Sequence, residues 1–200
     1  MREYDEIAGW FAAARSPEVG VADLAAFAEA LPSEARVLDV GCGDGVPISR
    51  WLLREGFDLT ALDSSGEMVR RYRTHFPEVP LHHLQVQGAS FPPGSFDGVV
   101  AWGVLFHLAE ADQGETLRRI STWLEPGGRL LFTAGDVRGT VESEMDGVTF
   151  RYISLGVDGY QSLLGEAGMV LERHDQDAWG NTVFFAAKTK DSAAVGRAPT

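Results

Sequence analysis

The stretch Val37-Leu-Asp-Val-Gly-Cys-Gly-Asp-Gly45 decides the reading of this chain, because an apolar strand-like run breaks into three alternating glycines and then into a helical pattern. Glycine admits positive φ and lets a ligand approach bare backbone, so a strand-to-helix turn of this composition is built to bind. Alone the signal is weak, since glycines also occur wherever a helix packs closely on a strand. The next strand ends in Leu62-Asp63, which places a carboxylate about 20 residues beyond the first glycine, where nucleotide-binding α/β units hold ribose hydroxyls. Together the two features describe a nucleoside site.

The detail of the turn selects the ligand. Dinucleotide sites space their glycines as GxGxxG, with a pyrophosphate over the helix N-terminus. Here the spacing is GxGxG, with Asp39 before the turn and Asp44 within it. Two carboxylates beside a pyrophosphate repel it, whereas they suit ammonium and sulfonium charges. A cationic nucleoside is the expected ligand.

Outward from the turn, short apolar runs alternate with helical stretches, the pattern of a parallel sheet covered on both faces. Strands are expected at 36–40, 58–62, 81–86, 98–102 and 129–134, with helices at 47–55, 66–76 and 111–124, the last closed by Pro126-Gly127-Gly128. A helix at 159–167 precedes runs 170–174 and 182–188, whose short connection through Gly180-Asn181 demands an antiparallel pair. Two helices, 4–14 and 21–31, form an N-terminal helical cap over residues 1–34. The segment 136–157, in which 141–145 and 148–152 flank Asp146-Gly147, reads as an inserted hairpin lid. Residues 1–189 are expected to form one domain and 190–200 a loose tail.

Composition narrows the partners. With 17 Lys+Arg against 29 Asp+Glu the formal charge is -12, which disfavours nucleic acid as substrate, a local basic groove apart. No apolar run approaches the length of a membrane span, and the first residues lack the order of a signal peptide, so a cytoplasmic protein is expected, as monomer or homodimer. The single cysteine, Cys42, reads as a small residue filling the turn rather than as a reactive thiol. His82-His83 is no metal pair, since adjacent strand residues face opposite sides, and no metal is expected.

Four stretches in order resemble the motifs of the class I S-adenosylmethionine-dependent methyltransferases: 37–45, Leu59-Thr-Ala-Leu-Asp63-Ser64-Ser65, Ser95-Phe-Asp-Gly-Val-Val-Ala101 and Leu124-Glu-Pro-Gly-Gly-Arg-Leu-Leu131. The resemblance runs from about Arg36 to Lys188. It implies a Rossmann-like α/β three-layer sandwich whose seven-stranded sheet has the order 3-2-1-4-5-7-6, its last pair antiparallel. It also implies S-adenosylmethionine as cofactor and S-adenosylhomocysteine as product. Asp39, Gly41, Cys42 and Gly43 would then surround the methionine part, Asp63 the ribose, Ser64 and Met68 the adenosine, and Trp102-Gly103 would close the site. Where the family often carries an acidic residue for the adenine amino group, this chain has Gln87. Either the Gln87 amide oxygen accepts that bond, or the backbone of Gly88 and Ala89 holds the base.

In-line transfer of a methyl group from sulfur needs positioning first and a base only for some acceptors. His107 stands where the acceptor should sit, either as that base or as a residue packing the loop. Tyr4, Trp10, Phe150 and Tyr152 are candidates for an aromatic wall around the acceptor, Tyr4 and Trp10 reading equally as core. The acidic run Glu142-Ser-Glu-Met-Asp146 reads as a solvated loop before it reads as a site for a basic acceptor. The expected activity is methylation of a small molecule at oxygen or nitrogen. The competing readings are a non-catalytic cofactor-binding regulator of the same fold and a nicotinamide-dependent oxidoreductase.

Overall fold

The computed structural model describes residues 2–190, so the tail expected at 190–200 falls almost wholly outside the described residues. Helices α1 (Arg2–Ala14) and α2 (Val21–Ala28) precede the sheet. Then follow β1 (Arg36–Val40), α3 (Ile48–Arg54), β2 (Asp58–Asp63), α4 (Gly66–His75), β3 (Leu81–His83), β4 (Phe96–Ala101), α5 (Glu110–Trp123) and β5 (Leu124–Thr133). The chain continues through β6 (Arg138–Met145), β7 (Val148–Leu155), α6 (Gly156–Glu166), β8 (Met169–Gln176) and β9 (Thr182–Lys188).

The main sheet runs β3-β2-β1-β4-β5-β9-β8, and β6 and β7 form a separate two-stranded sheet. Counted without that hairpin, the order is the expected 3-2-1-4-5-7-6. β1 pairs in parallel with β2 and β4, whereas β9 lies antiparallel to both β5 and β8. A period of two sorts the core. Leu38, Val99, Leu130, Phe132 and Phe184 face α5 and α6, where they meet Leu117, Ile120, Trp123, Tyr160 and Leu164. Val37, Val100, Leu131, Val183 and Phe185 face the other way, against Leu24 and Phe27 of α2 and Ile48 and Leu52 of α3. Each fully buried side chain of this size contributes about 1.5–3 kcal/mol, which makes the sheet a rigid platform for the loops at its carboxyl ends.

Three elements differ from expectation, each for a local reason. β3 stops at His83, which pairs with Asp63, the last residue of β2. With no partner strand beyond, the chain bends into a 3₁₀ turn at Val86–Gly88. Pro126-Gly127-Gly128 is a bulge inside β5, not a turn before it: the register jumps from Phe96↔Leu124 to Gly98↔Arg129, and Gly127 takes φ 85°. The inserted hairpin extends beyond the runs expected, from Arg138 to Leu155, about Asp146-Gly147 at φ 48° and 78°. Two positive φ values make it the turn type that matches strand twist.

Candidate active site

Beneath the glycine turn lies a buried polar chain. Asp39 is 1% exposed, and its Oδ2 accepts from Ser49 Oγ of α3 at 2.6 Å. Ser49 Oγ in turn accepts from Tyr72 Oη of α4 at 3.0 Å. Burial pushes the Asp39 carboxyl up to about 7, against the opposing pull of Ser49 and of the nearby Arg15 charge. Asp63 Oδ2 accepts from the Gly43 N–H at 2.8 Å and its Oδ1 from the Ser65 N–H at 2.7 Å. The two strand ends are thus stitched by one carboxylate, whose pKa is raised by burial and held back by those N–H donors. Asp63 still has lone pairs to offer, since each oxygen accepts twice.

A cavity of about 690 Å³ opens over these strand ends. That volume is in the range of sites that enclose drug-sized ligands, about 300–1,000 Å³. Of the residues anticipated for a cofactor, Gly41, Gly43, Asp63, Ser64, Met68, Gln87, Trp102 and Gly103 line it. The wall does not include Asp39, Cys42, Gly88 or Ala89. Asp39 is turned under the loop toward Ser49, and Cys42 packs behind it with Ala61 and Tyr72, its thiol pKa raised by burial. Ala89 is buried, and its carbonyl accepts from Arg119. Asp44 also turns inward, accepting from the Val46 N–H. The pair of carboxylates expected to face the ligand therefore supports the turn from below, and Asp63 is the carboxylate at its surface.

At the other end of the cavity, rings gather. Tyr4 Oη lies 3.1 Å from His107 Nε2, and the Tyr4 ring centroid is 5.0 Å from that of Phe150. His107 sits 5.1 Å from Tyr152 and 4.8 Å from Phe106. Tyr4, Trp10, Phe106, His107 and Tyr152 line the cavity, while Phe150, 2% exposed, backs the group without reaching the wall. The acceptor residues anticipated from α1, the β4 loop and the hairpin are thus brought together. Burial lowers the His107 pKa to about 4 and raises that of Tyr4. Of the run Glu142 to Asp146, Glu142, Ser143 and Glu144 are exposed on β6 and lie outside the wall, as does Asp146, whereas Met145 lines it.

Sequence reasoning missed several wall residues. Arg15, just past α1, lines the cavity with a guanidinium that makes no side-chain hydrogen bond among the described residues. Asp112 lies in the first turn of α5, and Trp179 and Asn181 come from the β8–β9 connection. None belongs to a motif, because each reaches the site only through tertiary packing. Among the described residues no group of three or more His, Cys, Asp or Glu could hold a metal ion, and no helix is long and apolar enough to cross a membrane.

A mixed, mostly parallel sheet with a glycine turn after β1, a carboxylate closing β2 and an aromatic chamber above defines the class of Rossmann-like methyltransferases. Residues 13–173 match the family described as a methyltransferase domain, and the chain belongs to it. An uncharacterised methyltransferase of Mycobacterium bovis is 36% identical over 47% of this chain and 47% of its own length. A ubiquinone biosynthesis O-methyltransferase of Xanthomonas campestris is 38% identical over 56% of this chain and 47% of its own length. The matches thus span about half the length of the curated relatives. Among solved structures, the S-adenosylmethionine-bound amino pentose methyltransferase CalS10 of Micromonospora echinaspora superposes with a TM-score of 0.72, covering 91% of this chain and 95% of that one at 20% identity, a likeness of fold.

S-adenosylmethionine is the cofactor of this class, and the cavity fits it. A Cβ at Gly43 or Gly103 would meet nothing within 4 Å, so both cavity-lining glycines leave room for a ligand against the backbone.

Proposed function

We propose that this protein transfers a methyl group from S-adenosylmethionine to a small-molecule acceptor held in the aromatic chamber. The observation that carries the reading is that one cavity is lined both by Gly41, Gly43 and Asp63 and by Tyr4, Phe106, His107 and Tyr152. When bound, the cofactor supplies an electrophilic methyl carbon on a sulfonium. Asp63 holds the ribose hydroxyls, Gly41 and Gly43 let the methionine part lie on bare backbone, and Arg15 balances its carboxylate.

The chamber selects the acceptor. A His107 imidazole at about 4 is neutral at physiological pH and poorly matched to pulling a proton from an ordinary hydroxyl. His107 and Tyr4 therefore orient the acceptor by hydrogen bonding, and the surrounding rings exclude water from the line of displacement. An acceptor that is already nucleophilic suits this arrangement, such as a neutral amine or an acidic phenol carried on a flat scaffold. The resulting enzyme needs positioning more than acid–base assistance.

Calorimetric titration tests the reading: S-adenosylmethionine and S-adenosylhomocysteine should bind with micromolar dissociation constants. Binding by neither ligand, with Asp63→Ala indistinguishable from wild type, would sink it. Binding without transfer to any amine or phenol in a broad screen would instead favour a non-catalytic, cofactor-sensing role.

A further inference from the structure

The hairpin of β6 and β7 pairs with no strand of the main sheet, so inter-strand bonds do not fix where it stands over the cavity. Its position matters to the chamber. Tyr152 of β7 stands 5.1 Å from the His107 ring and 5.4 Å from that of Phe106, both on the loop after β4. Those contacts hold only while the hairpin keeps its distance from that loop.

One buried side chain spans the two. Gln113, near the start of α5, is fully buried and lies outside the cavity wall. Its Nε2 donates to the Leu108 carbonyl at 3.1 Å and to the Ile153 carbonyl at 2.8 Å. Leu108 directly follows His107, and Ile153 directly follows Tyr152. On the other side of the amide, Gln113 Oε1 accepts from Tyr160 Oη of α6 at 2.8 Å. A carbonyl can only accept, so Leu108 and Ile153 require the amide nitrogen to face them, and the Tyr160 hydroxyl holds the oxygen away. The amide is thus engaged at both ends, in a place where an unpaired polar group would be costly. By contrast, the ion pair of Arg138 in β6 with Glu110 is exposed, where such pairs contribute little.

We propose that Gln113 is the positioning residue that fixes the walls of the acceptor chamber relative to each other, clamping the backbone behind His107 to the backbone behind Tyr152. This rests on that chamber being where the acceptor binds. The turn Leu105–His107 is closed by its own bonds, from the His107 N–H to the Val104 carbonyl and from the Leu108 N–H to the Leu105 carbonyl. Without the clamp it is therefore the hairpin that shifts. A flat acceptor held against Tyr152 would shift with it, and misplacement by about 1 Å costs about a hundredfold in rate. The cofactor end stands on β1 and β2, to which Gln113 donates no hydrogen bond.

NMR of the complex with S-adenosylhomocysteine tests the clamp. In wild type, cross-relaxation should join ring protons of His107 to those of Tyr152 and of Tyr4, whose ring centroids lie 5.1 and 5.5 Å away. Gln113→Leu, of similar volume, should lose the Tyr152 contact, keep the Tyr4 contact and bind S-adenosylhomocysteine as tightly as wild type. With the amine or phenol that wild type methylates fastest in a screen, its kcat/KM should fall about tenfold or more, chiefly through a higher KM. Tyr160→Phe keeps both donor bonds but frees the amide to turn, and should show the same losses in smaller degree. Leu117→Ala, a core truncation on the same helix, should lower stability while leaving the ring contacts and KM as in wild type. An intact His107–Tyr152 contact with wild-type KM in either folded variant of the clamp overturns the assignment, as does an equal loss in Leu117→Ala. A wild type that methylates nothing overturns the proposed function, whereas the ring contacts still decide the clamp.

Discussion

Tyr4 and His107 lie 103 positions apart in sequence, yet their Oη and Nε2 atoms meet at 3.1 Å and tie α1 to the loop after β4. Burial holds the imidazole at about 4, so between pH 6 and 8 it carries no proton to lose. With an acceptor found by screening, kcat/KM should therefore show no limb near pH 6.5 attributable to His107. Tyr4→Phe and His107→Ala should each lower kcat/KM by about tenfold or less, as loss of positioning, while a general base would cost about 10²–10⁴. A rate limb at pH 6–7 that vanishes in His107→Ala would assign proton transfer to the imidazole.

Asp39 gives the fold a pH dependence of definite sign. Its carboxyl is raised to about 7 in the folded chain and returns to the ordinary carboxylate range on unfolding. Between about pH 4 and pH 7 the folded state thus holds a proton that the unfolded state has released. Stability falls as pH rises through that window, by at most about 1.4 kcal/mol per pH unit from this group, and levels off above pH 7. Asp39→Asn keeps an acceptor for Ser49 and removes the titration. Urea denaturation at pH 5 and pH 7.5 should show a smaller difference for this variant than for wild type, and equal differences would contradict the assignment.

Two glycines of the turn should separate binding from folding. A Cβ at Gly41 would stand 2.4 Å from Val104 Cγ2, whereas one at Gly43 meets nothing. Both have positive φ, 67° and 59°, so alanine costs about 1–2 kcal/mol of backbone strain at either site. Gly41→Ala adds a clash and should lower the melting temperature further. Gly43→Ala should retain most of its stability and lose affinity for S-adenosylhomocysteine by about tenfold or more, read by thermal shift with and without ligand. Equal affinity in Gly43→Ala and wild type would place the cofactor elsewhere.

Much of the fold was legible because it is local or periodic. The turn at 37–45, the carboxylate at Asp63 and the hairpin about Asp146-Gly147 are written in runs of consecutive residues, and the near-continuous burial of β1, β4 and β9 follows from apolar runs in strands covered on both faces. The short β3 was not legible, since its length is set by where its partner β2 ends. Part of the site was hidden for the same reason. Asp39 is a motif residue, but only the position of Ser49 and Tyr72 reveals that it faces down, away from the cavity. Arg15 and Asp112 carry no local signature, and they reach the wall because α1 and α5 pack where they do.

The placement of α1 itself rests on a second polar tie. Asp5 Oδ1 accepts from Ser65 Oγ at 2.5 Å and from the Glu67 N–H at 3.1 Å, while Ser65 Oγ, as N-cap of α4, accepts from the Met68 N–H at 3.2 Å. An acidic group from α1 thus completes the amino end of α4, where a carboxylate is favoured by the exposed N–H groups. The Ser65 hydrogen bond is the leading reason that the Asp5 pKa is lowered, so the tie is present at neutral pH and is lost as pH falls below the ordinary carboxylate range. Tyr4, Trp10 and Phe11 of α1 line the cavity, with Arg15 following. Asp5→Ala should therefore loosen a wall of the site more than the core. Hydrogen exchange should quicken across residues 2–14 and affinity for S-adenosylhomocysteine should fall several-fold, while exchange in β1, β4 and β5 stays at the wild-type rate. Uniformly faster exchange through those strands would show that Asp5 supports the whole fold rather than the docking of α1.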